Sequence, residues 1–487
     1  MSTPQTDTPF FANYINGEWV GSSKTFENRN PANTDEVVGL FAKGSAADVE
    51  AAAQAAAAAL PGWAGMPAPA RGNILFKAAD IIEKKFDRLG AEMTREEGKT
   101  LPEAKGEVRR AINIFRYFGG EGSRLNGVMV PSERERVHVF AIRKPIGVVG
   151  LVTPWNFPIA IPAWKMAPAL ICGNTIIVKP ASVSPLCSWR IVEALHEAGV
   201  PKGVVNFVAG SGGELGEALV KAGPLKAISF TGSNEIGNWI HAEASKRRLR
   251  IQLEMGGKNP TIVLADADLK SAVENVANAA FFSTGQKCTA TSRAVVEDGI
   301  YDQFVEALVE RTKKLKVGDG MKAGIDIGPC VEKSQLDTVL RYIEIGKKEC
   351  GAPKCGGNRL TGDGYDKGYF VEPTIFADVQ PEHTIAREEI FGPVLAIQRA
   401  KDFEDAMRLA NNTPFGLSSS IQTTNLSRAM DYVYRAEAGL LTINLPSAGV
   451  EYQLPFGGTK DSSFGPKEQG PAALDFYSDF KTVYMKY

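Results

Sequence analysis

From residue 145 onward, short apolar runs alternate with segments of helical character, and this alternation limits the fold more than any other feature of the sequence. The pattern is typical of parallel α/β units, in which a helix follows each strand and returns the chain across the sheet. Residues 256–260 read Gly-Gly-Lys-Asn-Pro and interrupt the pattern. We therefore predict an α/β protein with two doubly wound domains that meet near residue 256. The apolar runs of the first series are residues 148–153, 175–179, 204–208, 227–231 and 250–253, and the second series extends from 261–264 to 442–444.

The segment before residue 126 contains a hairpin and several helices. Asn16-Gly17 is a turn pair between two short strand-like runs. Ser45 stands as the N-cap before an alanine-rich helical run that ends near residue 60. We predict two domains with these bounds: residues 1–126 and 147–256 in the first, and residues 257–456 in the second.

Two further segments have the alternation of strands but no evident partner. They are residues 127–143 and the tail, residues 478–487. A monomer would expose the unpaired edges of such strands, which proteins normally avoid. We assign residues 127–146 and 470–487 to an oligomerisation segment with a β-hairpin arm, and we expect a homodimer or a tetramer built from dimers.

The composition excludes several classes of protein. In 487 residues, 55 Lys and Arg balance 56 Asp and Glu, so a net charge of −1 provides no basic surface for nucleic acid or an acidic membrane. No apolar run reaches the roughly 18 residues that span a bilayer, and residues 1–11 lack the pattern of a secretory signal. Six cysteines in so long a chain are not a disulfide framework. We expect a cytoplasmic protein with no metal, no nucleic-acid partner and no membrane contact.

Cys288 lies in the stretch FSTGQKCTATSR, among small and hydroxyl residues. Gly285 lets the backbone approach closely and adopt turn geometry. A cysteine becomes a nucleophile when its pKa is lowered or a base lies nearby, but a lone cysteine is more often a small buried apolar residue. Glu254, in LEMGGKNP, stands at the end of an apolar run and is the candidate base.

Other polar and glycine-rich motifs follow predicted strands, where ligands gather in open α/β sheets. Asn156 in TPWNFP can present its side-chain NH2 to a developing oxyanion, or it can simply cap a helix. Lys179 in IVKP can bind the phosphate or ribose of a nucleotide, or it can be an ordinary surface lysine. The stretch FTGSNEIG opens a helix whose N-terminus attracts a pyrophosphate, although it is not the G-x-G-x-x-G fingerprint. The stretch EEIFGPV adds two carboxylates and an aromatic side chain, and LPFGGTKDSSF adds a glycine-rich loop.

Together and in this order, PWNFP, VKP, FTGS, LEMGGKNP, GQKC, EEIFGP and PFGG resemble the motifs of the aldehyde dehydrogenase superfamily over essentially the whole chain. The resemblance implies that family's fold, with its oligomerisation arm. It also implies that Cys288 is the thiol nucleophile, Glu254 the general base and Asn156 an oxyanion donor, joined by the backbone N–H of Cys288. Glu468 matches a second acidic residue that is sometimes assigned to proton relay. The residues implied to bind the cofactor are Thr153, Pro154, Trp155, Lys179 (counted also with the catalytic set), Ser182, Gly232, Ser233, Glu389 and Phe391.

Ser182 departs from the pattern of many NAD-preferring members of the family. These members carry a glutamate at this position, two residues past the proline of VKP, and its carboxylate binds the 2′-hydroxyl of the adenosine. A serine leaves room for a 2′-phosphate without repulsion, and the charge of Lys179 stands three residues before it. NADP is therefore favoured over NAD as the cofactor, and NAD remains an alternative.

Three stretches, WKMAPAL, STGQKCTATSR and SAGVEYQLPFGG, resemble the semialdehyde dehydrogenase branch, in particular the enzymes for 2-oxoglutarate semialdehyde. The implied reaction is the NAD(P)-dependent oxidation of an aldehyde to a carboxylic acid through a thiohemiacetal and a thioester on the cysteine. The alternative substrates are succinic semialdehyde or a general aliphatic or aromatic aldehyde. The chain could also be a CoA-acylating relative, which the presence of the base Glu254 disfavours, or a non-catalytic structural relative. A distal carboxylate needs a cation near the pocket, and the candidate substrate-binding residues are Arg116, Trp164, Lys287 and Arg293.

Overall fold

The computed structural model describes residues 8–487, and its two largest sheets contain the two series of α/β units. The predicted α/β architecture is confirmed. Residues 1–7, which belong to the predicted first domain and to the stretch in which we expect no secretory signal, lie outside the described residues. Within residues 8–487, no helix has the length and apolar character needed to cross a membrane.

The first sheet has eight strands, and the five at its centre run parallel. The chain enters at Val148–Val152 and moves outward through Thr175–Lys179 to Val205–Phe207. It then returns to the opposite side of the first strand with Leu225–Thr231 and Arg250–Glu254. This reversal leaves a crevice at the carboxyl ends of Val148–Val152 and Leu225–Thr231, which is where such sheets bind ligands. The antiparallel edge strands are Ser463–Phe464 on one side and the hairpin Asn13–Ile15 and Glu18–Val20 on the other.

Local sequence signals explain how the elements around this sheet begin. Asn16 and Gly17 adopt positive φ angles of 52° and 83°, as the turn of the predicted hairpin requires. Ser45 caps the helix Ala46–Gly65 through a reciprocal pair of hydrogen bonds with Asp48. This helix continues beyond the predicted end at residue 60 because Trp63 is buried against the sheet's helical layer, where its indole N–H donates to the carbonyl of Leu170. The remaining helices around the sheet are Ala68–Lys84, Phe86–Glu97, Leu101–Glu121, Ala160–Ile171, Pro185–Glu197, Gly212–Lys221 and Asn234–Lys246.

The second sheet has six strands, all parallel. The chain leaves the first sheet after Glu254 and enters the second at Pro260, so that the crossing lies where the sequence predicts the boundary. We propose the domain bounds given above on this basis. In spatial order the strands are Thr374–Phe376, Val394–Ala400, Arg293–Glu297, Pro260–Val263, Ser418–Gln422 and Leu440–Ile443. The helices that follow Glu254 are Leu269–Phe281, Tyr301–Lys313, Lys333–Cys350, Thr384–Arg387, Phe403–Asn411, Leu426–Arg435 and Ala472–Tyr477.

A separate three-stranded sheet corrects one expectation. The tail strand Ser478–Lys486 pairs antiparallel with Val137–Pro145 of the same chain, and Val128–Val130 pairs on the other side of that strand. The two segments that we expected to lack partners thus satisfy each other's backbone groups over nine facing pairs. The outer edges of this sheet are formed by Ser478–Lys486 and Val128–Val130. Two smaller sheets consist of Phe10–Phe11, Thr25–Asn30 and Asn33–Ala42, and of Phe415–Gly416 and Thr459–Lys460.

Candidate active site

A cavity of about 790 Å³ opens at the switch point of the first sheet. Its walls come from the loops that follow Val148–Val152 and Leu225–Thr231, from the start of the helix Gly212–Lys221, and from loops of the second series. The structure thereby brings together motifs that are far apart in the chain. The predicted site residues in its walls are Thr153, Pro154, Trp155, Asn156, Lys179, Gly232, Ser233, Cys288, Glu389 and Phe391.

The loop before Cys288 has a strained backbone that neighbouring groups stabilise. Ser283, Thr284 and Gly285 have φ angles of 53°, 57° and 64°, in the left-handed region that non-glycine residues avoid. The Oε1 of Glu103 accepts hydrogen bonds from the backbone N–H of Ser283 at 2.8 Å and from its hydroxyl at 3.0 Å. The predicted need for glycine at position 285 is confirmed, because a Cβ there would lie 2.4 Å from the carbonyl oxygen of Gly392.

Cys288 itself is anchored through its backbone. Asn259 donates from Nδ2 to the carbonyl oxygens of Cys288 at 2.7 Å and of Ala290 at 2.9 Å. Burial, together with the negative charges of Glu254 and Glu389, raises the pKa of the Cys288 thiol to about 12. The thiol is therefore protonated at neutral pH and needs a base before it can attack a carbonyl.

Glu254 ends its strand as a buried carboxyl group beside the cavity rather than in its wall. Its Oε2 accepts a hydrogen bond of 2.5 Å from the hydroxyl of Ser463. Its Oε1 packs on the backbone of Gly457, where a Cβ would approach to 2.5 Å. Burial and then the charge of Glu468 raise the pKa of Glu254 to about 8, which Ser463, Lys467 and Lys165 oppose. A carboxyl group with this pKa can act as a general base near neutral pH.

Glu468 belongs to a buried hydrogen-bonded network next to Glu254. The Nζ of Lys165 forms an ion pair with its Oε1, and the indole N–H of Trp164 donates to its Oε2 at 2.7 Å. The hydroxyl of Ser229 also donates to Oε1, at 3.2 Å. The network satisfies a carboxylate that would otherwise be costly to bury.

Asn156 is buried at the wall of the cavity, and hydrogen bonds hold both its side chain and its backbone carbonyl group. Its Nδ2 donates to the carbonyl oxygen of Gln286, in the nucleophile loop, at 3.0 Å. Its own carbonyl oxygen accepts a hydrogen bond of 2.7 Å from the Nζ of Lys99. The Nζ of Lys99 is also paired with Glu107 at 2.5 Å, and Glu107 in turn accepts the backbone N–H groups of Ile159 and Ala160 at 3.0 Å. These contacts fix the loop that carries Asn156 relative to the loop that carries Cys288.

The opposite part of the cavity has the features of a nucleotide cradle. Lys179 projects toward Gly212 at the start of a helix, and burial lowers its pKa to about 8. The rings of Trp155 and Phe391 meet edge to face with centroids 5.4 Å apart. A Cβ on Gly213 or Gly216 would meet nothing within 4 Å, so the wall there is open backbone. Ser233 caps the helix Asn234–Lys246, whose N-terminus carries the positive end of the helix dipole.

Glu389 lies between this cradle and Cys288. The N–H of Gly257 donates to its Oε1 at 2.9 Å, and a Cβ on Gly256 would lie 2.0 Å from its Oε2, so the glycine pair allows the carboxyl group to approach. Burial raises the pKa of Glu389 to about 7. Lys258 is buried nearby, and within residues 8–487 its Nζ has no hydrogen-bond partner. Burial and the charge of Arg293 lower the pKa of Lys258 to about 7.

Two of the four predicted substrate-binding residues are corrected by the structure. Arg116 is directed away from the cavity and is paired with Asp80 and Glu83. Arg293 is buried, and its guanidinium donates to the carbonyl oxygens of Lys258, Leu409 and Ala410. Both guanidinium groups are thus engaged in contacts within the chain rather than in the wall of the cavity.

The other predicted residues lie near the site but outside the wall of the cavity. Trp164 is buried against Glu468. The Nζ of Lys287 donates to the carbonyl of Asn278 at 3.3 Å, and burial lowers its pKa to about 8. Ser182 is adjacent to Ala181 of the wall, and its hydroxyl donates to the carbonyl of Gly210 at 2.9 Å.

Sequence reasoning missed Lys99, Glu103 and Glu107, which position the site residues without belonging to its motifs. The only sequence signal near them is the helix start Thr100–Glu103, a capping box, which marks a helix and not a site. It also missed the role of Ser463, although this residue lies in the glycine-rich stretch LPFGGTKDSSF. Within residues 8–487, no group of three or more His, Cys, Asp or Glu side chains is arranged to hold a metal ion.

The fold and this site define the class of the protein. The sequence model of the aldehyde dehydrogenase family matches residues 19–483. The chain belongs to this family and is an oxidoreductase that acts on aldehydes.

Individual relatives are similar over nearly the whole chain. The alpha-ketoglutaric semialdehyde dehydrogenase of Bacillus subtilis is 48% identical over 483 residues, 99% of both chains. The 2,5-dioxopentanoate dehydrogenase of Saccharolobus solfataricus is 42% identical over 471 residues, 96% of this chain and 98% of that one. Among solved structures, betaine aldehyde dehydrogenase from Staphylococcus aureus in complex with NAD+ has a TM-score of 0.95 at 33% identity, covering 98% of this chain and 95% of that chain.

Proposed function

We propose that this enzyme oxidises a dicarboxylic semialdehyde, specifically 2-oxoglutarate semialdehyde, to the dicarboxylic acid with NADP or NAD as oxidant. The observation that carries the proposal is one cavity that contains the thiol of Cys288, the amide of Asn156 and the cradle around Lys179 and Glu389. The names of the relatives from B. subtilis and S. solfataricus support the choice of substrate.

The cavity fits a dinucleotide. It offers a cation at Lys179, a helix N-terminus at Ser233, an aromatic ring at Phe391 and a carboxyl group at Glu389. Lys179 and Glu389 suit ribose hydroxyl groups, while Phe391 suits a flat ring. When bound there, a nicotinamide cofactor supplies the acceptor for the hydride that the oxidation releases.

The residues around Cys288 account for the attack on the aldehyde. Glu254, when ionised, is the group that can take the proton of the thiol, whose own pKa is too high for spontaneous ionisation. The sulfur adds to the aldehyde carbon to form a thiohemiacetal. The Nδ2 of Asn156 and the backbone N–H of Cys288 stabilise the oxyanion that develops. Loss of hydride converts the thiohemiacetal to a thioester on Cys288.

Hydrolysis completes the cycle. Glu254 first releases to solvent the proton that it took from the thiol. It then accepts a proton from water as the hydroxide adds to the thioester carbon. Collapse of this adduct breaks the C–S bond and releases the carboxylic acid and the thiolate of Cys288, which takes up the proton held by Glu254. The buried network of Glu468, Lys165 and Trp164 lies next to Glu254 and holds a compensated negative charge there. Burial of Glu254, and after it this charge, raises the pKa of Glu254 to about 8, so that it can act as a base near neutral pH.

We propose that NADP is used at least as well as NAD. Ser182 presents no carboxylate to repel a 2′-phosphate, and Lys179 lies in the wall of the cavity with a charge that can meet one. Two further wall residues, Glu217 and Glu235, are acidic, and the carboxylate of Glu217 forms an ion pair with Lys221.

The assay that tests the function measures the absorbance of NAD(P)H. Purified enzyme is given 2-oxoglutarate semialdehyde, succinic semialdehyde, butanal and pentanal, each with NAD and with NADP. We expect kcat/KM to be highest for 2-oxoglutarate semialdehyde. If neither semialdehyde is used better than the uncharged aldehydes, the substrate assignment fails, and if no aldehyde is oxidised with either cofactor, the whole proposal fails.

We also propose a homo-oligomer, either a homodimer or a tetramer built from two dimers. Ser478–Lys486 is an edge strand of the small sheet and Leu440–Ile443 is an edge strand of the second sheet, and exposed edges of this kind favour pairing with another chain. The side chains of Met129, Tyr484 and Met485 are exposed on the small sheet and add apolar surface. Light scattering of a dilute sample should give a multiple of 52.4 kDa, and a single chain mass would contradict the proposal.

A further inference from the structure

One face of the helix Leu101–Glu121 runs along the site. Glu103, Glu107, Arg110 and Tyr117 are spaced by four, three and seven residues, which places them on the same side of a helix. Glu103 binds Ser283 in the nucleophile loop, and Glu107 binds the backbone beyond Asn156. Tyr117, at the far end, meets the ring of Tyr452 with centroids 5.8 Å apart. Arg110 therefore lies between the catalytic loops and the segment around Tyr452.

Arg110 is a partly buried cation that forms no hydrogen bond or ion pair with the residues of the described chain. Burial lowers its pKa, and Glu107 and Glu451 act on it through charge alone, with no hydrogen bond to either. Both oxygens of Glu107 are already engaged, by Lys99 and by the N–H groups of Ile159 and Ala160. The carboxylate of Glu451 accepts from the side chain of Gln453.

Two other arginines of the same helix show that this state is unusual. Arg109 is paired with Glu83 at 2.5 Å, and Arg116 is paired with Asp80 at 3.1 Å. Both face the neighbouring helix Ala68–Lys84. A guanidinium that loses water without gaining an acceptor costs free energy, and a bound anion offsets that cost.

Two other cations lie on the cofactor side of the site, Lys179 beside Gly212 and Lys258, whose charge acts on Glu389. Five further cations near the nucleophile have their charge or their donors directed at a carboxylate or a carbonyl of this chain. They are Lys99 at Glu107, Lys165 at Glu468, Lys287 at the carbonyl of Asn278, Arg293 at three carbonyl groups, and Lys467 at the carbonyl of Gly458.

The place of Arg110 on the helix also directs its charge toward the site. Arg110 lies seven residues beyond Glu103, or about 10 Å along the helix axis. Helical side chains lean toward the N-terminus of their helix, so its guanidinium is brought back toward the catalytic loops. A substrate whose aldehyde reacts at Cys288 and whose other end lies toward this helix would meet this cation.

We propose that Arg110 binds the distal carboxylate of the substrate and so selects semialdehydes of dicarboxylic acids. The inference rests on the proposed function, because it assumes that the aldehyde reacts at Cys288. A guanidinium offers a carboxylate two parallel N–H donors, a geometry that gives both affinity and orientation.

The test compares Arg110→Met with Arg116→Met as a matched control on the same helix. For Arg110→Met we expect kcat/KM on 2-oxoglutarate semialdehyde and succinic semialdehyde to fall by about ten- to a hundredfold, mainly through KM. Butanal and pentanal should be oxidised as by the wild type, and Arg116→Met should change neither class. An equal loss for charged and uncharged aldehydes, or no loss for the charged ones, overturns the proposal.

Two further measurements keep the test decisive if Arg110→Met does not fold. Arg110→Lys, which keeps the charge and loses the paired donors, should show an intermediate loss on the semialdehydes alone. With the wild type, glutarate should inhibit the reaction competitively with the aldehyde at concentrations at least about tenfold lower than pentanoate. Equal inhibition by the two acids overturns the role of Arg110 while leaving aldehyde oxidation by Cys288 intact, whereas a wild type that oxidises no aldehyde overturns the proposed function itself.

Discussion

The Nζ of Lys99 lies 2.7 Å from the backbone carbonyl oxygen of Asn156. The same ammonium group is paired with Glu107 and lies 4.4 Å from the centroid of the Phe157 ring, so three interactions converge on one buried charge. An oxyanion donor is effective only when it is held in place before the reaction. We therefore expect Lys99 and Glu107 to act on catalysis by positioning Asn156.

Removal of this ion pair should reduce turnover more than it reduces binding. The double variant Lys99→Met/Glu107→Gln avoids leaving one buried charge unpaired, which would destabilise the fold. We expect kcat to fall by about ten- to a hundredfold, with the KM for the cofactor nearly unchanged. Lys85→Met/Glu193→Gln removes a partly exposed pair of the same domain and should leave kcat intact. An unchanged kcat in the first variant would show that the pair is only structural.

Cys288→Ala should abolish aldehyde oxidation. The loss of a covalent nucleophile removes the whole covalent route, so the rate should fall by about a thousandfold or more. Binding of the cofactor, followed by quenching of tryptophan fluorescence, should persist because the cradle is untouched. Cys355→Ala, at a half-buried thiol outside the cavity, is the control. Oxidation by Cys288→Ala at a tenth of the normal rate would exclude the assignment.

Glu254→Gln should separate the two halves of the reaction. The amide cannot activate water, so the thioester should accumulate and the steady state should slow by about a hundredfold or more. Stopped-flow absorbance should then show a burst of NAD(P)H close to one equivalent per site, provided that the thiol is supplied as thiolate by raising the pH. A variant with no burst and a normal steady-state rate would remove Glu254 from the mechanism.

The pH dependence of the reaction should follow Glu254. Because its pKa is raised to about 8, it is mostly protonated at neutral pH, and the rate should rise with pH through about 8. The hydroxyl of Ser463 stabilises the charged form, so Ser463→Ala should move the midpoint of the pH–kcat profile upward by about 0.5–1. A midpoint that stays in place would show that another group controls this limb.

The same shift has a consequence for stability. A carboxyl group whose pKa is higher in the folded than in the unfolded state favours folding most at low pH, and this contribution is lost as the pH rises from its ordinary value of 4.5 through about 8. The free energy of unfolding, measured with urea at pH 6 and at pH 9, should therefore fall less between the two pH values for Glu254→Gln than for the wild type. An equal loss in both proteins would contradict a strongly raised pKa.

Ser182→Glu should shift the cofactor preference toward NAD. A carboxylate at this position would repel a 2′-phosphate and could accept a hydrogen bond from a 2′-hydroxyl group, so the ratio of kcat/KM for NADP to that for NAD should fall by about ten- to a hundredfold. The control is Ser211→Glu, which adds the same charge at an exposed residue at the same end of the fold. Ser184→Glu is unsuitable as a control, because the hydroxyl of Ser184 donates to the backbone carbonyl of Trp155. A ratio unaffected by Ser182→Glu would place the 2′ position elsewhere.

The residues that carry out chemistry were predictable because each belongs to a short motif at the end of a strand. Cys288, Glu254 and Asn156 could be named from such motifs, and the structure places the thiol and the amide in one cavity with the carboxyl group beside it. The residues that position them were not predictable. Lys99 is 57 residues from Asn156, and Ser463 is 209 residues from Glu254. Nothing local distinguishes Lys99 from an ordinary polar residue, and the stretch LPFGGTKDSSF does not show which of its residues meets Glu254.

Arg116 shows the same limit of prediction from sequence, here for a residue that was wrongly assigned to the site. Arg110 and Arg116 lie on one helix and are chemically identical, but six residues correspond to about 240° around the axis. One therefore faces the catalytic loops, while the other faces Asp80 and Glu83. A choice between them requires knowledge of which elements pack on each face of the helix.

By itself, the sequence determined the α/β alternation, the passage between two sheets near residue 256, and the motifs of the reacting groups, because these depend on residue types over a few neighbouring positions. Only the tertiary structure decided that the tail pairs with Val137–Pro145, that Ser463 binds Glu254, and that Arg116 pairs with Asp80 and Glu83 outside the cavity. These outcomes depend on which distant segments are brought within hydrogen-bonding distance, and on which charges lose water in the process.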